Sequence, residues 1–339
     1  MTLYLFVKFY IKIGLFLFYK KIHSTGKENI PKKGPILFVA NHQNAMMDPL
    51  VIATSTSTVM YFLARASAFK NKIAAILLNA IHAIAIYRVR DGVNSKKRNE
   101  AVFAHCTKLL SANKNILIFP EGSHDIIRKV RSLRAGFTRI AFDYLEANPN
   151  KDLLIIPIGL NYNNTINYGK SLHIIYGKPI SSAFFFDKNN RNKSTKNLID
   201  EVHTQLRNLT VYIDNEDYDT IITNLNEDEF LTPNATNTKI SKLNVEKLKK
   251  ITTQKKGKNI FYYFMLINSI FPFLIWKWLQ PKIQAREFIS TTKFSLGVSV
   301  FPLFYFLQTL CISHFFGIYY ALSYLFLCFL LIFISTKTR

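Results

Sequence analysis

Residues 39–50 read VANHQNAMMDPL, and they decide the fold because a short apolar run ends there and delivers polar residues into one turn. Residues 35–40 predict a buried strand, and His42 and Asp48 follow it. A histidine can act as a general base when a partner fixes one ring nitrogen and the other faces substrate. Asp48 can be that partner. A purely structural interpretation is also open, in which Asn41 or Asp48 caps a helix that starts near Pro49.

Apolar segments with strand and helix periodicity alternate on both sides of this turn. The predicted strands are 35–40, 59–63, 115–119, 153–158 and 172–176. The predicted helices are 94–112, 135–147 and 196–209, with a helix or a helix plus strand over 72–86. This alternation predicts an α/β domain with a mostly parallel mixed sheet and flanking helices, closing near residue 212.

The composition combines a soluble domain with membrane segments. Of the 339 residues, 49% are hydrophobic, and 44 Lys plus Arg against 21 Asp plus Glu give a net charge of +23. That charge suits nucleic acid, anionic lipid or phosphorylated small molecules. Nucleic acid is disfavoured because the lysines lie beside apolar runs and no soluble module interleaves aromatic and basic residues. Three distant cysteines give neither a metal-ligand spacing nor a disulfide framework.

The N-terminal segment is apolar and aromatic, and we predict a membrane-associated, interfacial helix over residues 1–25. Lys8 and Lys12 would share one helix face and reach headgroup phosphates. A tilted transmembrane span is the alternative, and the segment lacks the features of a secretory signal. The catalytic domain is then predicted at 26–212 and a charged linker at 213–259, with seven acids over 214–229 and eight lysines over 239–258.

Residues 260–339 are predicted to be a C-terminal membrane region. The segment 260–279 has lysines on both sides, so we expect a re-entrant or interfacial hairpin bent at Pro272. The 42 residues from 294 to 335 contain no Asp, Glu, Lys or Arg. They are long enough for two spans, at about 294–313 and 316–335. Basic residues before and after this pair predict that both ends, and the catalytic domain, face the cytoplasm.

Four stretches are predicted to be polar loops at strand ends, at residues 41–48, 87–88, 119–122 and 156–158. Active sites of open α/β sheets form where strands end, so these stretches are expected to converge on one pocket. In order and spacing they resemble the phospholipid/glycerol acyltransferase superfamily over residues 37–162. The paired His/Asp block and the FPEG sequence at 119–122 carry this resemblance.

The resemblance implies a glycerol-3-phosphate acyltransferase-like fold and a membrane-bound O-acyltransferase of phospholipid synthesis. His42 would take a proton from an acceptor hydroxyl and Asp48 would orient His42, whereas Arg88 would bind the acceptor phosphate. Glu121, Gly122 and Ser123 would bind the glycerol part. The implied co-substrate is acyl-CoA or acyl-ACP, with no bound cofactor and no metal. The implied partners are the bilayer, with its anionic headgroups, and a glycerol phosphate or lysophospholipid acceptor.

The sequence departs from the common family pattern at two places. Five residues, not four, separate His42 from Asp48, and Ser123-His124-Asp125 stands where Thr-Arg-Ser is usual. Both departures resemble the glycerol-3-phosphate/dihydroxyacetone-phosphate acyltransferase branch, which implies glycerol 3-phosphate as acceptor. Lysophosphatidate or another lysophospholipid is the alternative, as is a non-catalytic lipid-binding protein. Arg128, Arg131 and Arg134 are candidates for the missing motif arginine or for a basic rim that faces lipid.

Overall fold

A computed structural model of the protein describes residues 2–87, 94–214, 216–243 and 260–338. Within these residues one mixed sheet has the strand order β1-β7-β6-β2-β5-β3-β4, and β8 pairs with β6. The strands are β1 (Lys21–Thr25), β2 (Ile36–Ala40), β3 (Met60–Arg65), β4 (Ala83–Ile86), β5 (Asn115–Ile118), β6 (Leu154–Tyr162), β7 (Ser171–Tyr176) and β8 (Ile180–Ser181).

The helices lie on both faces of this sheet and in the C-terminal region. They are α1 (Thr2–Phe18), α2 (Met47–Ser55), α3 (Lys72–Ala80), α4 (Ser95–Ser111), α5 (Gly136–Ala147), α6 (Arg191–Leu209), α7 (Tyr218–Thr223), α8 (Pro233–Ser241), α9 (Ile260–Asn268), α10 (Ile270–Leu279), α11 (Phe288–Phe316) and α12 (Ile318–Lys337).

Strand β2 is the centre of the fold. It pairs in parallel with β5 on one side and β6 on the other, and all five of its residues are buried. Both faces are covered, as is usual for parallel sheets. Phe38 packs in a core with α1 and α2, whereas Leu37 and Val39 pack with α4, α5 and α6. The mostly parallel α/β sheet predicted from the sequence is confirmed.

The sheet begins earlier in the chain than the predicted domain does. Residues 21–25 were expected to continue the N-terminal helix, but they form strand β1, which pairs in parallel with β7. The boundary at residue 26 is therefore wrong. The expected role of Lys8 is also wrong: its Nζ donates to the carbonyl oxygens of Thr56 and Thr58, at 2.8 and 3.1 Å, behind α2. These bonds direct the ammonium toward the domain instead of toward headgroups.

The first half of the predicted charged linker is folded. Helices α7 and α8 enclose a small core of Val211, Ile213, Ile221, Leu225 and Phe230. Ion pairs stabilise this segment, among them the pair of Lys239 Nζ and Glu229 Oε1 at 2.5 Å. A linker starting at residue 213 is therefore wrong, and the lysine-rich stretch from 244 to 259 lies outside the described residues.

The C-terminal region holds two helices, α11 and α12, that are long and apolar enough to cross a membrane. They turn at Gly317, close to the predicted turn. The segment before them is bent by 91° between α9 and α10, as a broken span or a re-entrant loop. The bend falls at Ser269 and not at Pro272, which lies in the first turn of α10. Proline is tolerated there because the first helical N–H groups have no intrahelical partner.

Both ends of the α11–α12 hairpin contact the rest of the protein. At the start of α11, Glu287 and Phe288 contact His124. At the end of α12, Lys337 Nζ donates to the carbonyl oxygens of Phe16, Tyr19 and Lys20. A lysine ammonium satisfies the unpaired carbonyls at the end of a helix, which here is α1. The hairpin is therefore fastened at both ends to the side that carries the sheet.

Candidate active site

His42 and Asp48 meet at the carboxyl end of β2. The strand ends at Ala40, and α2 begins at Met47, so Asp48 lies in the first turn of that helix. His42 Nδ1 lies 2.8 Å from Asp48 Oδ2. The His42 side chain is 15% exposed and the Asp48 side chain is fully buried. The contact expected from the sequence is therefore present, with the imidazole accessible and the carboxylate hidden.

Four donors converge on the Asp48 carboxylate. Besides His42, the backbone N–H groups of Gln43 and Asn44 donate to Oδ2, each at 2.8 Å, and the Tyr162 hydroxyl donates to Oδ1 at 2.6 Å. The N–H groups lie before α2, so Asp48 does not cap this helix; Met46 is its N-cap and makes no side-chain bond. These four donors fix the orientation of the buried carboxyl group, whose two oxygens serve as acceptors.

This environment determines the histidine tautomer. Because a carboxylate only accepts, His42 Nδ1 carries a hydrogen toward Asp48, and Nε2 keeps its lone pair. The ring is fixed from the sides as well, since it stacks on Phe119 with a centroid distance of 4.2 Å and meets His124 edge-on at 5.4 Å. The arrangement can accept a proton from a substrate hydroxyl at Nε2 and stabilise the imidazolium that forms.

The fifth residue between His42 and Asp48 is accommodated by backbone conformation. Ala45 is buried and has a φ of +37°, in the left-handed region that non-glycine residues rarely adopt. Such conformations cost of order 1–3 kcal/mol and occur preferentially at functional sites. The extra residue is absorbed by this strained turn, and the His42–Asp48 contact is kept.

Glu121 lies beside this pair and is engaged on both oxygens. Its Oε1 accepts from the His42 backbone N–H at 3.4 Å, and its Oε2 accepts from Arg131 Nε at 2.6 Å. Arg131 Nη1 also donates to Ser123 Oγ at 2.6 Å. The structure thus brings Glu121 and Ser123 together through Arg131, next to His42. Their predicted role in binding the glycerol part stays a prediction.

Burial raises the pKa of Glu121 to about 7, although Arg131 and the His42 N–H favour the carboxylate. Above about pH 4.3, the ordinary pKa of a glutamate, the native protein therefore keeps a proton that the unfolded chain has released. The resulting stabilisation is complete below that value and is lost as the pH rises through about 7.

We expect the thermal midpoint of the wild-type protein, measured against Glu121→Gln in the same detergent, to fall between about pH 4.5 and 7. The change in unfolding free energy is at most about 1.4 kcal/mol per pH unit. The Gln variant is the reference because it does not titrate. A difference between the two midpoints that stays constant over this range would contradict the raised pKa.

The other stretches predicted to form the site are Gly122, Arg88 and residues 156–158, and they have different outcomes. Gly122 is exposed with a φ of +72°, and an added Cβ would lie 2.6 Å from Arg134 Nε. Arg88 lies outside the described residues. Residues 156–158 were expected to be a strand-end loop, but they lie inside β6, where Pro157 pairs with Val39. Pro157 is therefore part of the central sheet and not of the polar rim.

The three arginines that follow the FPEG stretch have different surroundings. Arg128 is buried, donates to Gln43 Oε1 at 3.4 Å and lies 4.4 Å above the Phe230 ring. Arg131 is paired with Glu121, and Arg134 is exposed beside Gly122. Of these three, Arg134 is the one in position to meet an anionic group that arrives from solvent or lipid.

His124 links the site to the C-terminal region, a connection that sequence reasoning missed. Its Nδ1 lies 3.2 Å from Glu287 Oε1, and its ring meets Phe288 edge-on at 4.8 Å. Burial and the charge of His42 lower the pKa of His124, and Glu287 opposes them. No local motif signals this pair, because the two residues are 163 positions apart.

Tyr162 is the second functional residue that the sequence did not reveal. It is fully buried at the end of β6, and burial together with the Asp48 charge raises the pKa of its hydroxyl, which therefore stays protonated and donates. We expect Tyr162→Phe to lose about 1.5–3 kcal/mol of stability, the usual contribution of a hydrogen bond to a charged group. Turnover should fall about tenfold, since Asp48 is then held by one donor fewer.

Tyr176→Phe is the matched control for this substitution. Tyr176 is equally buried, and its hydroxyl bonds Ser55 at 2.6 Å, away from Asp48. Both variants are measured for thermal midpoint and for initial rate at saturating substrate. Equal rates in the two variants would show that Tyr162 does not support the His42–Asp48 pair.

Comparisons with known proteins find similar sequences. The acyltransferase family model matches residues 21–161. A 1-acyl-sn-glycerol-3-phosphate acyltransferase from Borreliella burgdorferi is 26% identical over 208 residues, which are 59% of this chain and 78% of that protein. Glycerol-3-phosphate O-acyltransferase 1 from Saccharomyces cerevisiae is 27% identical over 126 residues, 36% of this chain and 16% of that protein.

A solved structure also matches. It is the 1-acyl-sn-glycerophosphate (LPA) acyltransferase PlsC from Thermotoga maritima, with a TM-score of 0.40 and 19% identity. The match covers 55% of this chain and 72% of that one.

Proposed function

Residues 21–161 form an acyltransferase domain of the phospholipid/glycerol acyltransferase superfamily, and on that premise we propose that the protein moves a fatty acyl group from an acyl thioester to a hydroxyl of a glycerol phosphate. The protein is an enzyme that transfers acyl groups in glycerolipid synthesis. The observation that carries the proposal is the His42–Asp48 contact of 2.8 Å at the carboxyl end of β2.

The proposed reaction is a direct transfer. The acceptor hydroxyl gives its proton to His42 Nε2, and its oxygen attacks the thioester carbonyl carbon. The carbon–sulfur bond then breaks, and the departing thiolate takes the proton back from the imidazolium, whose charge Asp48 balances. No group on the protein becomes acylated, so ping-pong kinetics are not expected.

The donor is proposed to be acyl-CoA or acyl-ACP, and no bound cofactor takes part. Arg88 is proposed to bind the acceptor phosphate, because a guanidinium contacts phosphate with two parallel bonds and stays charged. Glu121, Gly122 and Ser123 are proposed to line the glycerol part. The arrangement of Glu121 beside the His42 backbone supports this placement.

Two acceptors fit the proposal. Glycerol 3-phosphate is favoured by the two departures from the family pattern and by the likeness to the yeast protein. Lysophosphatidate is favoured by the longer match to the Borreliella protein. An apolar cavity between α1 and the C-terminal helices also suits an acceptor that has an acyl tail.

The catalytic domain is proposed to face the cytoplasm. Basic residues precede α11, among them Lys282 and Arg286, and Lys337 ends α12, as expected for loops on the cytoplasmic side. The attachment of both hairpin ends to the catalytic domain supports one side for both. Protection of a cysteine tag near Lys27 from an impermeant thiol reagent in intact cells tests this orientation; labelling there would contradict it.

Purified full-length protein in nanodiscs, given labelled oleoyl-CoA and either glycerol 3-phosphate or 1-oleoyl lysophosphatidate, tests the function. The expected result is an acyl ester of one or both acceptors, with one free thiol released per ester formed. Lysophosphatidylcholine serves as a comparison acceptor. Release of thiol without ester, or no reaction with either glycerol phosphate, would contradict the proposal.

A further inference from the structure

An apolar cavity of about 590 Å³ lies between α1 and the C-terminal helices. Its size is within the range of small-molecule pockets, about 300–1,000 Å³. We propose that this cavity, hereafter the tail cavity, binds the acyl tail of a monoacyl glycerophosphate acceptor such as lysophosphatidate. The inference rests on the proposed function and names the acceptor class for the same active site.

The walls of the tail cavity are apolar side chains from five helices. They include Leu17 and Phe18 of α1, Leu266 of α9, Phe273 of α10, Phe301 of α11 and Ile332 of α12. Two of these helices, α11 and α12, are long and apolar enough to cross a membrane. A cavity between such helices is open to the hydrocarbon chains of a bilayer, and close packing of the chain against the walls would hold it there.

One end of the tail cavity is polar and positively charged. Lys277 and Gln280 at the end of α10, and Lys293 near the start of α11, line it together with Asn167. Lys293 Nζ donates to the Ile166 carbonyl at 3.0 Å and lies 5.1 Å from the Trp276 ring. Farther along α11 the lining residues are the uncharged Phe301, Pro302 and Tyr305, and the Tyr305 hydroxyl is bonded to Ser269 at 2.6 Å. This polarity matches a ligand with an anionic head and a single chain.

The polar end is also the end nearest the active site. Helix α11 starts with Phe288 against His124, and the cavity residue Phe294 follows six positions later. At 1.5 Å per residue this is about 9 Å along the helix. Phe18 of α1 also lines the cavity. The ring centroid of the next residue, Tyr19, lies 6.2 Å from the ring centroid of Tyr162. A tail that starts from a glycerol at His42 can therefore continue into the cavity.

Gly297 offers a way to fill the tail cavity without disturbing its walls. It lines the cavity on α11, and a Cβ added there meets no atom within 4 Å. Gly297 is an exposed lining residue, so a phenylalanine there fits without a clash and is expected to narrow the open side of the cavity. Leu307→Phe is the matched control, because Leu307 lies on the same helix, is 52% exposed and does not line the cavity.

The kinetic test compares Gly297→Phe, Leu307→Phe and wild type in nanodiscs. For Gly297→Phe we expect the KM for 1-oleoyl lysophosphatidate to rise at least about tenfold, because the added ring takes space that the tail would occupy. The KM for the hexanoyl analogue and for oleoyl-CoA should change less than about twofold. A rise in the KM for oleoyl-CoA alone would assign the cavity to the donor chain and overturn the proposal, as would no change at all.

Photo-crosslinking gives a second readout that needs no turnover. A lysophosphatidate with a diazirine at the end of its tail should label peptides of α10, α11 or α12 in wild type and in Leu307→Phe, but not in Gly297→Phe. The same labelling is expected in His42→Ala, which keeps the cavity. Labelling of wild type without ester formation would overturn the proposed acyl transfer and would support the tail cavity as a binding site. Turnover of lysophosphatidate without labelling of these helices would overturn the site alone.

Discussion

The His42→Ala enzyme is expected to form ester about 10²–10⁴ times more slowly than wild type, the usual contribution of a positioned general base. His42 is the partly exposed member of the pair, its Nδ1 is committed to Asp48, and the ring is held by Phe119 and His124. Removal of the ring removes the proton acceptor and leaves the substrate contacts of other residues in place. The loss should therefore appear in kcat more than in KM.

His105→Ala is the control for this variant, since His105 is exposed on α4 and makes no contact with the His42–Asp48 pair. The measurement is the initial rate of labelled ester formation in nanodiscs, with equal amounts of folded protein verified by thermal midpoint. Equal rates for His42→Ala and His105→Ala would remove His42 from the reaction and with it the mechanism proposed here.

Substitutions of Asp48 should distinguish its contribution to folding stability from its contribution to turnover. Asp48→Ala leaves four donors without an acceptor, from His42, Gln43, Asn44 and Tyr162. We expect it to lose about 3–5 kcal/mol of stability, the usual cost of breaking a buried charged pair. Asp48→Asn keeps the shape and one accepting oxygen, so its loss of stability should be smaller, about 1–3 kcal/mol.

Turnover should nevertheless fall about 10²–10⁴-fold in Asp48→Asn, because a neutral amide cannot balance the imidazolium charge or favour the required tautomer. Thermal midpoints and initial rates of the two variants are compared with wild type. Wild-type turnover in Asp48→Asn would mean that the carboxylate has only a structural function at the start of α2.

The sequence was sufficient where short-range patterns dominate. Strand β2 is a continuous apolar run, and the turn after it holds two chemically distinctive residues six positions apart, so both the central strand and the His42–Asp48 contact were predictable. Strand β1 was not, because it lies at the sheet edge and its sequence KIHST has mixed polarity. Its pairing with β7 comes from tertiary contacts that no local periodicity records.

The remaining errors have the same physical origin. The many acidic residues around Ile221, Leu225 and Phe230 made this segment resemble a solvated linker. These three apolar residues are too few for a recognisable pattern, but they are enough to fix α7 and α8. Tyr162 reaches Asp48 across 114 positions, and Glu287 reaches His124 across 163. Such partners are set by strand order and helix packing, so one sequence without a structure could not identify them.

The attachment of the α11–α12 hairpin has a consequence for biogenesis. A nascent chain that has emerged only as far as α8 already contains His42, Asp48 and Tyr162, but it lacks Glu287 and Phe288 beside His124. It also lacks Lys337, whose ammonium donates to the carbonyl oxygen of Tyr19 just after α1, 318 positions earlier in the chain. The surroundings of His124 and the end of α1 are therefore complete only after α11 and α12 have been made and packed against the sheet, so the pocket is assembled late in synthesis.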